Sequence, residues 1–304
     1  MKLAILSAGA PRHGLNLCTM VQSISDSEGW GWQTQFVPWE KDGYESFDFS
    51  AIDWCWWEGC FERVFEFMGQ IEGPYHAARW IGTDLLQHRE LVARGYPDPF
   101  GNARIHMADA PNLVEEAHQL TGLDVALVRS IPPETYQATP ITTWDNILCY
   151  IPTGREDFFR YGWILDVAQD YPDITFNILA RQETPKEVAN VRAIQEISGM
   201  DKRHLFERCF AYLRPIEHDG IGLTLIEMAQ LVRFVFHSDT RIPYALPARS
   251  VGEIEFGLDE ILRRKQQPSP EIAKHYHDEY SRERLARDLE GIRHRMGSDV
   301  PLSP

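Results

Sequence analysis

Short apolar runs of strand length alternate with amphipathic stretches of helix length twice along this chain, on either side of a proline-containing segment at residues 130–146. Strands patterned this way are buried on both faces, which requires helices above and below a parallel sheet. The first run, Lys2–Ser7, leads into Ala8-Gly9-Ala10-Pro11-Arg12-His13-Gly14 and then an amphipathic stretch from Leu15 to about Ile24. Strand, glycine-containing loop and helix in that order open a doubly wound domain. Gln33–Val37 and Ile52–Trp57 are the next strands, Arg79–Gly82 and Arg104–Met107 read as strand ends, and Asn112–Leu120 reads as a helix.

The segment SIPPETYQATPITTWDN at 130–146 carries three prolines and reads as a linker. Alternation resumes beyond it. The pattern predicts strand Ile147–Ile151, helix Asp157–Gln169, strand Ile174–Leu179, helix Pro185–Ile197, strand Phe210–Leu213, helix Leu223–Leu231 and strand Phe234–Phe236. Val251–Lys265 reads as a helix and Pro270–Arg295 as one long charged helix. The expected organisation is an α/β domain over 1–138, a second over 139–268 and a C-terminal helical segment over 269–304. Two such domains facing each other would form a cleft at the carboxyl ends of their strands, where ligands of this fold class bind.

With 304 residues, the chain can bury two cores of ordinary size. Thirty basic against forty-five acidic residues give a net charge of −15, which repels nucleic-acid phosphates and anionic membranes at long range. A general DNA-coating role is disfavoured. Five scattered cysteines, an odd number, fit reduced thiols in a cytoplasmic-type compartment rather than a disulfide framework. Cys55 and Cys60 have no second pair at zinc-site spacing, so no metal is expected. The opening apolar run is too short for a signal peptide, and no run of ~18 apolar residues spans a bilayer. A soluble, cytoplasmic protein is the expectation.

The segment Tyr212-Leu-Arg-Pro-Ile-Glu-His-Asp219-Gly-Ile-Gly-Leu-Thr-Leu-Ile-Glu227-Met-Ala carries the chemistry. A strand end is followed by an acid, by Gly220-Ile221-Gly222 and Leu223-Thr224 at a helix start, and by a second acid inside that helix. Glycines let backbone approach a ligand, and N–H groups of a first helical turn hold a phosphate with the helix dipole. Asp219 and Glu227 can then touch opposite ends of one nucleotide sugar, Asp219 at the sugar hydroxyls and Glu227 at the ribose. The plainer reading is an ordinary turn and cap followed by a solvated Glu. Trp54, Trp56, Trp57 and Trp80 carry a similar choice, between core packing and stacking on an acceptor sugar.

The C-terminal half resembles the nucleotide-sugar domain of retaining glycosyltransferases with the GT-B fold, a family that includes sucrose synthase and many bacterial cell-envelope hexosyltransferases. That family's signature is acid, seven residues, acid, with Gly-aromatic-Gly after the first acid and Glu-Ala-Met-Ala at the second. This sequence has Asp219-Gly220-Ile221-Gly222 and Glu227-Met228-Ala229, with Asp for the first Glu and Ile for the aromatic. Tyr150–Arg155, Tyr161-Gly162 and Tyr171–Leu179 resemble the opening strand, helix and second strand of the donor domain, and Tyr280–Arg284 resembles the final helix that crosses back to the first domain. Trp80-Ile81-Gly82-Thr83-Asp84 is similar to a motif near the active cleft.

The resemblance implies two Rossmann-like domains and transfer of a hexose, by default glucose from UDP-glucose, to an acceptor hydroxyl with retention and without metal. Nucleoside diphosphate sugar would be a co-substrate, and no cofactor is implied. Asp219, Arg155 and Arg160 would serve catalysis. Arg181, Gly220, Ile221, Gly222, Leu223, Thr224 and Glu227 would bind the donor. Gly9, His13, Gly14, Gly82, Thr83, Asp84 and His106 would lie on the acceptor side; His13 and His106 are each also readable as plain structure. The leaving phosphate itself would deprotonate the acceptor. A silent nucleotide-sugar-binding module, a nucleotide-sugar epimerase and a phage-type glucosyltransferase acting on hydroxymethylated DNA bases are the other readings.

Overall fold

In the computed structural model, the described residues are 1–7, 11–38, 47–95, 100–181, 183, 188–195 and 197–299, without the side chains of 11–13, 298 and 299. They divide into two units. Unit 1 holds Met1–Pro133 together with the chain from Ser281 onward, and unit 2 holds Glu134–Tyr280.

Unit 1 is built on six parallel strands, β1 (Lys2–Ser7), β2 (Gln33–Pro38), β3 (Trp54–Glu58), β4 (Tyr75–Trp80), β5 (Ile105–Ala108) and β6 (Val125–Leu127), in the order β2-β1-β3-β4-β5-β6. The intervening helices are α1 (Pro11–Glu28), α2 (Glu62–Met68), α3 (Thr83–Ala93) and α4 (Pro111–Thr121). Strand β3 lies between β1 and β4, and all five residues of Trp-Cys-Trp-Trp-Glu are buried, so both faces of the sheet are covered there. That decides the tryptophans. Trp54, Trp56, Trp57 and Trp80 are core residues, each no more than 1% exposed, and none offers a face to an acceptor. Trp57 Nε1–H donates to His76 Nδ1 at 3.1 Å, and Trp56 Nε1–H to Glu58 Oε2 at 3.4 Å.

Gly14, in the first turn of α1, shows why that turn carries a glycine. A Cβ there would stand 2.4 Å from Ser7 Cβ and 2.7 Å from Phe36 Cε2, so the helix lies against β1 and β2 only without a side chain. The carboxyl edge of the sheet carries a buried polar network. Arg79 pairs with Glu58, and its guanidinium donates to Val128 O at 2.8 Å and Ser130 Oγ at 2.9 Å. Helix α10 (Arg282–Asp299) completes the unit with a stripe of Leu285, Leu289, Ile292 and Met296, all fully buried. Asp288 of α10 pairs with Arg129 at 2.8 Å.

Unit 2 contains β7 (Asn146–Tyr150), β8 (Thr175–Leu179), β9 (Val191–Ile194), β10 (Ala211–Arg214), β11 (Phe234–His237) and β12 (Leu246–Pro247), again all parallel, in the order β12-β11-β10-β7-β8-β9. Its helices are α5 (Tyr161–Asp170), α6 (Gly199–Arg208), α7 (Leu223–Gln230), α8 (Val251–Arg264) and α9 (Glu271–Glu279). The strand order reverses between β7 and β10, where an open α/β sheet parts its loops to admit a ligand.

Two sequence expectations fail here. Pro185–Ile197 is not a helix over its described part: Val191–Ile194 is a strand paired with Phe176–Leu179 of β8. The long helix at Pro270–Arg295 is two, broken at Tyr280-Ser281, where Ser281 Oγ accepts the N–H of Arg284 at 3.1 Å as an N-cap does. The first piece, α9, belongs to unit 2, where Tyr276 is buried and its hydroxyl donates to Pro243 O at 2.7 Å. The linker residues also belong there. Arg233 donates to Thr139 O at 2.6 Å and Thr139 Oγ1 at 2.8 Å, and Tyr136 N–H to Gln230 Oε1 at 3.2 Å.

Candidate functional site

The segment from Arg214 to Thr224 leaves the carboxyl end of β10, the strand beside the point where the order reverses. Helix α7 follows with Gly222 as its N-cap, at φ −69° and ψ 136°, and no side chain caps it. Leu225 N–H turns back to Gly222 O at 2.9 Å, and the N–H groups before it are left for a ligand or solvent. Space at Gly222 is tight: a Cβ would lie 2.9 Å from the Arg214 guanidinium carbon.

Arg214 is the residue that organises this loop. Its Nε lies 2.5 Å from Asp219 Oδ2, its Nη1 donates to Tyr212 Oη at 3.2 Å, and it packs over the rings of Phe159 (5.3 Å) and Tyr150 (5.6 Å). The guanidinium holds the Asp219 carboxyl well below the usual carboxylate range despite burial, and the carboxylate in turn raises the pKa of Arg214. A buried cation beneath a helix N-terminus adds to the positive end of the helix dipole, and Asp219 balances it. His237, at the end of β11, stands beside the pair with Nε2 3.9 Å from Asp219 Oδ2, while its Nδ1 accepts the N–H of Asp239 at 2.9 Å. An accepting Nδ1 places the proton of a neutral ring on Nε2, facing the acid.

Glu227 lies inside α7 with its side chain 1% exposed, and Lys202 Nζ of α6 approaches its Oε1 to 2.6 Å. Burial raises its pKa and Lys202 opposes that. The two acids of the motif are thus both buried or half-buried and both paired to a cation. Neither is the solvated side chain of the plainer reading.

Arg155, Arg160 and Arg181 all lie on the same edge of the unit 2 sheet. Arg155 and Arg160 follow β7, and Arg181 follows β8. Arg155 is exposed and packs over Phe158 at 4.5 Å. Arg160, at φ +51°, faces Glu217 at 3.8 Å, and Glu217 N–H donates to Phe158 O at 2.9 Å, which ties the loop after β7 to the glycine loop. Arg181 pairs with Glu156 at 3.0 Å and lies over Tyr161 at 4.2 Å. A groove of about 400 Å³, lined by Phe234, Leu246, Phe256, Ile261 and Pro268 among others, opens at the opposite, amino end of β11 and β12.

The acceptor-side residues fare differently. Gly9 and the side chain of His13 lie outside the described residues, and Gly14 has the packing role given above. Gly82, at φ +109°, turns the chain into α3, whose first residue, Thr83, is half-buried. Asp84 is fully buried and accepts backbone N–H groups from Cys60 (2.7 Å), Gly82 (2.9 Å), Leu85 (3.0 Å) and Ile81 (3.1 Å). Burial still pushes its pKa up to about 6. It ties the loop after β3 to the start of α3. His106 is also core: Nδ1 accepts from Trp80 Nε1–H at 3.3 Å, and Nε2 lies 3.2 Å from Phe100 O as donor. The ring stacks with Trp80 at 6.0 Å and Phe65 at 6.3 Å.

Arg214, Lys202 and His237 were missed from the sequence. Arg214 carried a signal, since an Arg at a strand end five residues before a shortened acid can span to it.

No protein-family model and no curated protein matches the sequence. Solved structures do. Sucrose-phosphate synthase from Thermosynechococcus elongatus superposes with a TM-score of 0.69 at 10% identity, covering 99% of this chain and 100% of that one. A glycosyltransferase from Rickettsia africae does so at 0.66 and 8% identity, over 98% and 99%. A protein assigned as a UDP-N-acetylglucosamine 2-epimerase from Listeria monocytogenes reaches 0.57 at 11% identity, over 99% and 97%. The fold is therefore the two-domain α/β fold of GT-B glycosyltransferases. At these identities the likeness concerns architecture.

Proposed function

We propose that the protein is a retaining glycosyltransferase that binds a nucleoside diphosphate sugar in unit 2 and transfers its hexose to an acceptor hydroxyl. One observation carries this reading: a glycine loop and an uncapped helix N-terminus stand at the strand-order reversal of unit 2, with Asp219 and Glu227 each locked to a buried or half-buried cation. The α7 N–H groups and one or more of Arg155, Arg160 and Arg181 would neutralise the diphosphate as it leaves, which is electrostatic preorganisation. Glu227 would accept from the ribose hydroxyls and Asp219 from those of the hexose. The departing phosphate would take the acceptor proton on the same face, so the chain need supply no base. UDP-glucose is the default donor, and the reaction is proposed to run without a metal.

Melting curves with UDP, GDP and ADP, and with their glucose conjugates, test the donor site; a ligand at ~100 times its dissociation constant raises stability by ~2.7 kcal/mol. Activity should survive EDTA. Glu227→Ala should weaken nucleoside diphosphate binding by ~1.5–3 kcal/mol, the worth of a charge-assisted hydrogen bond, while Asp219→Ala should spare it and reduce turnover. Equal loss of nucleotide affinity in both variants refutes the division of roles. The full-length likeness to the Listeria protein supports a second reading, an epimerase acting on a UDP-sugar. Release of a free epimerised sugar nucleotide without any acceptor distinguishes it.

A further inference from the structure

Glu227 is not the polar group that the surface of unit 2 presents at this point. Its side chain is 1% exposed, whereas that of Lys202, 2.6 Å away, is 22% exposed. Lys202 is also braced: its Nζ lies 5.3 Å from the centre of the Phe206 ring, and Phe206 stacks on Tyr136 at 6.0 Å. An ammonium has three N–H donors and no acceptor, and one donor directed at Glu227 leaves others for its exposed side. A sugar diol both donates and accepts. A carboxylate with an ammonium beside it matches that pattern more completely than a carboxylate alone.

Resting on the nucleotide-sugar reading above, we propose that Lys202 is a positioning and specificity residue for the ribose of the donor. It holds the Glu227 carboxylate in the orientation that accepts from the ribose hydroxyls, and it donates to the same diol. The charged and titratable groups around Glu227 are Lys202 from α6 and, ahead of β7, Glu134 and Tyr136. Helix α9, packed on α7, brings the buried Tyr276, whose hydroxyl is engaged by Pro243 O. Burial and Glu134 favour the protonated acid, and Lys202 opposes them. Without Lys202, Glu227 would keep its proton to higher pH and lose an acceptor.

The test is calorimetric binding of UDP, ADP and GDP, and of their 2′-deoxy counterparts, to the full chain across pH 5–9. The wild type should prefer a ribonucleotide over its deoxy form by about tenfold or more, a single charge-assisted hydrogen bond. Lys202→Met should bring that ratio towards one and move the pH below which affinity falls upward. Lys202→Arg should retain most of the preference. Lys202→Met combined with Glu227→Gln removes both charges, so it reads the ratio even if the single variant fails to fold; it should show no preference and no pH step. A Lys202→Met or double variant that keeps the wild-type ratio and pH profile overturns the proposal. If the wild type binds none of these nucleotides, the donor-site reading itself fails and takes this one with it.

Discussion

Arg214→Met isolates the interaction that organises the glycine loop. The guanidinium and Asp219 are 2.5 Å apart, with side chains 8% and 16% exposed. Removing one partner of a buried ion pair costs ~3–5 kcal/mol, because the other charge is left without compensation. Solvent reaches part of Asp219, so ~3 kcal/mol, the low end of that range, is expected. For a unit of this size, ~2–4 °C of melting temperature per kcal/mol gives a fall of ~6–12 °C. Asp219→Asn should also destabilise, since it leaves Arg214 buried beneath α7. The double variant should be less destabilised than the sum of the two, by a coupling of ~1–3 kcal/mol. The acid limb gives a second reading. Asp219 is depressed below its unfolded value, so its contribution is present above pH ~4 and is lost as pH falls further. That loss should vanish in Arg214→Met. Calorimetric melts of the four proteins between pH 3 and 8 measure both effects; additive single variants with an unchanged acid limb would refute the reasoning.

Two more perturbations concern unit 1. Gly14→Ala places a methyl 2.4 Å from Ser7 Cβ and 2.7 Å from the Phe36 ring, and the displacement of α1 should cost ~1–3 kcal/mol in denaturant unfolding, the usual penalty of overpacking. Asp84→Asn removes an acid whose pKa is raised to about 6, so the wild type loses stability from this group as pH climbs from ~4 to ~6, and the variant should lack that slope. At pH 7, where Asp84 is ionised, the same variant should be less stable, because an amide oxygen cannot accept all the N–H groups that the carboxylate does; a variant with wild-type stability at pH 7 refutes this account of Asp84. The slope difference isolates Asp84 from His76, whose pKa burial lowers to about 4 and which acts with opposite sign.

The alternation of strands and helices was legible because parallel strands under two helical layers must be apolar throughout. Where it misled, spacing was ambiguous. Val188, Val191, Ile194 and Ile197 recur every three residues and suit a helix face, yet their β-branched side chains favour the strand that forms at Val191–Ile194. The acids of the motif were legible through their spacing around the glycines. Their cations were not, since Lys202 sits on a short polar helix and its partner, Glu227, lies on another helix 25 positions further along the chain. Nor could the sequence show that Asp84 and His106 face inward. Short-range pattern gives an acid before a helix or a His on a strand, while only the fold says which loop or ring completes its hydrogen bonds.

The pairing of Arg129 with Asp288 joins residues 159 positions apart, with the whole of unit 2 between them. During synthesis the ribosome therefore releases the halves of unit 1 at different times. Unit 2 can close on itself once Tyr280 has emerged, whereas the earlier strands of unit 1 wait with the surface that Leu285, Leu289, Ile292 and Met296 will cover still bare. The first-made unit is the last to be finished, and in that interval its exposed apolar surface is where a chaperone would have something to hold.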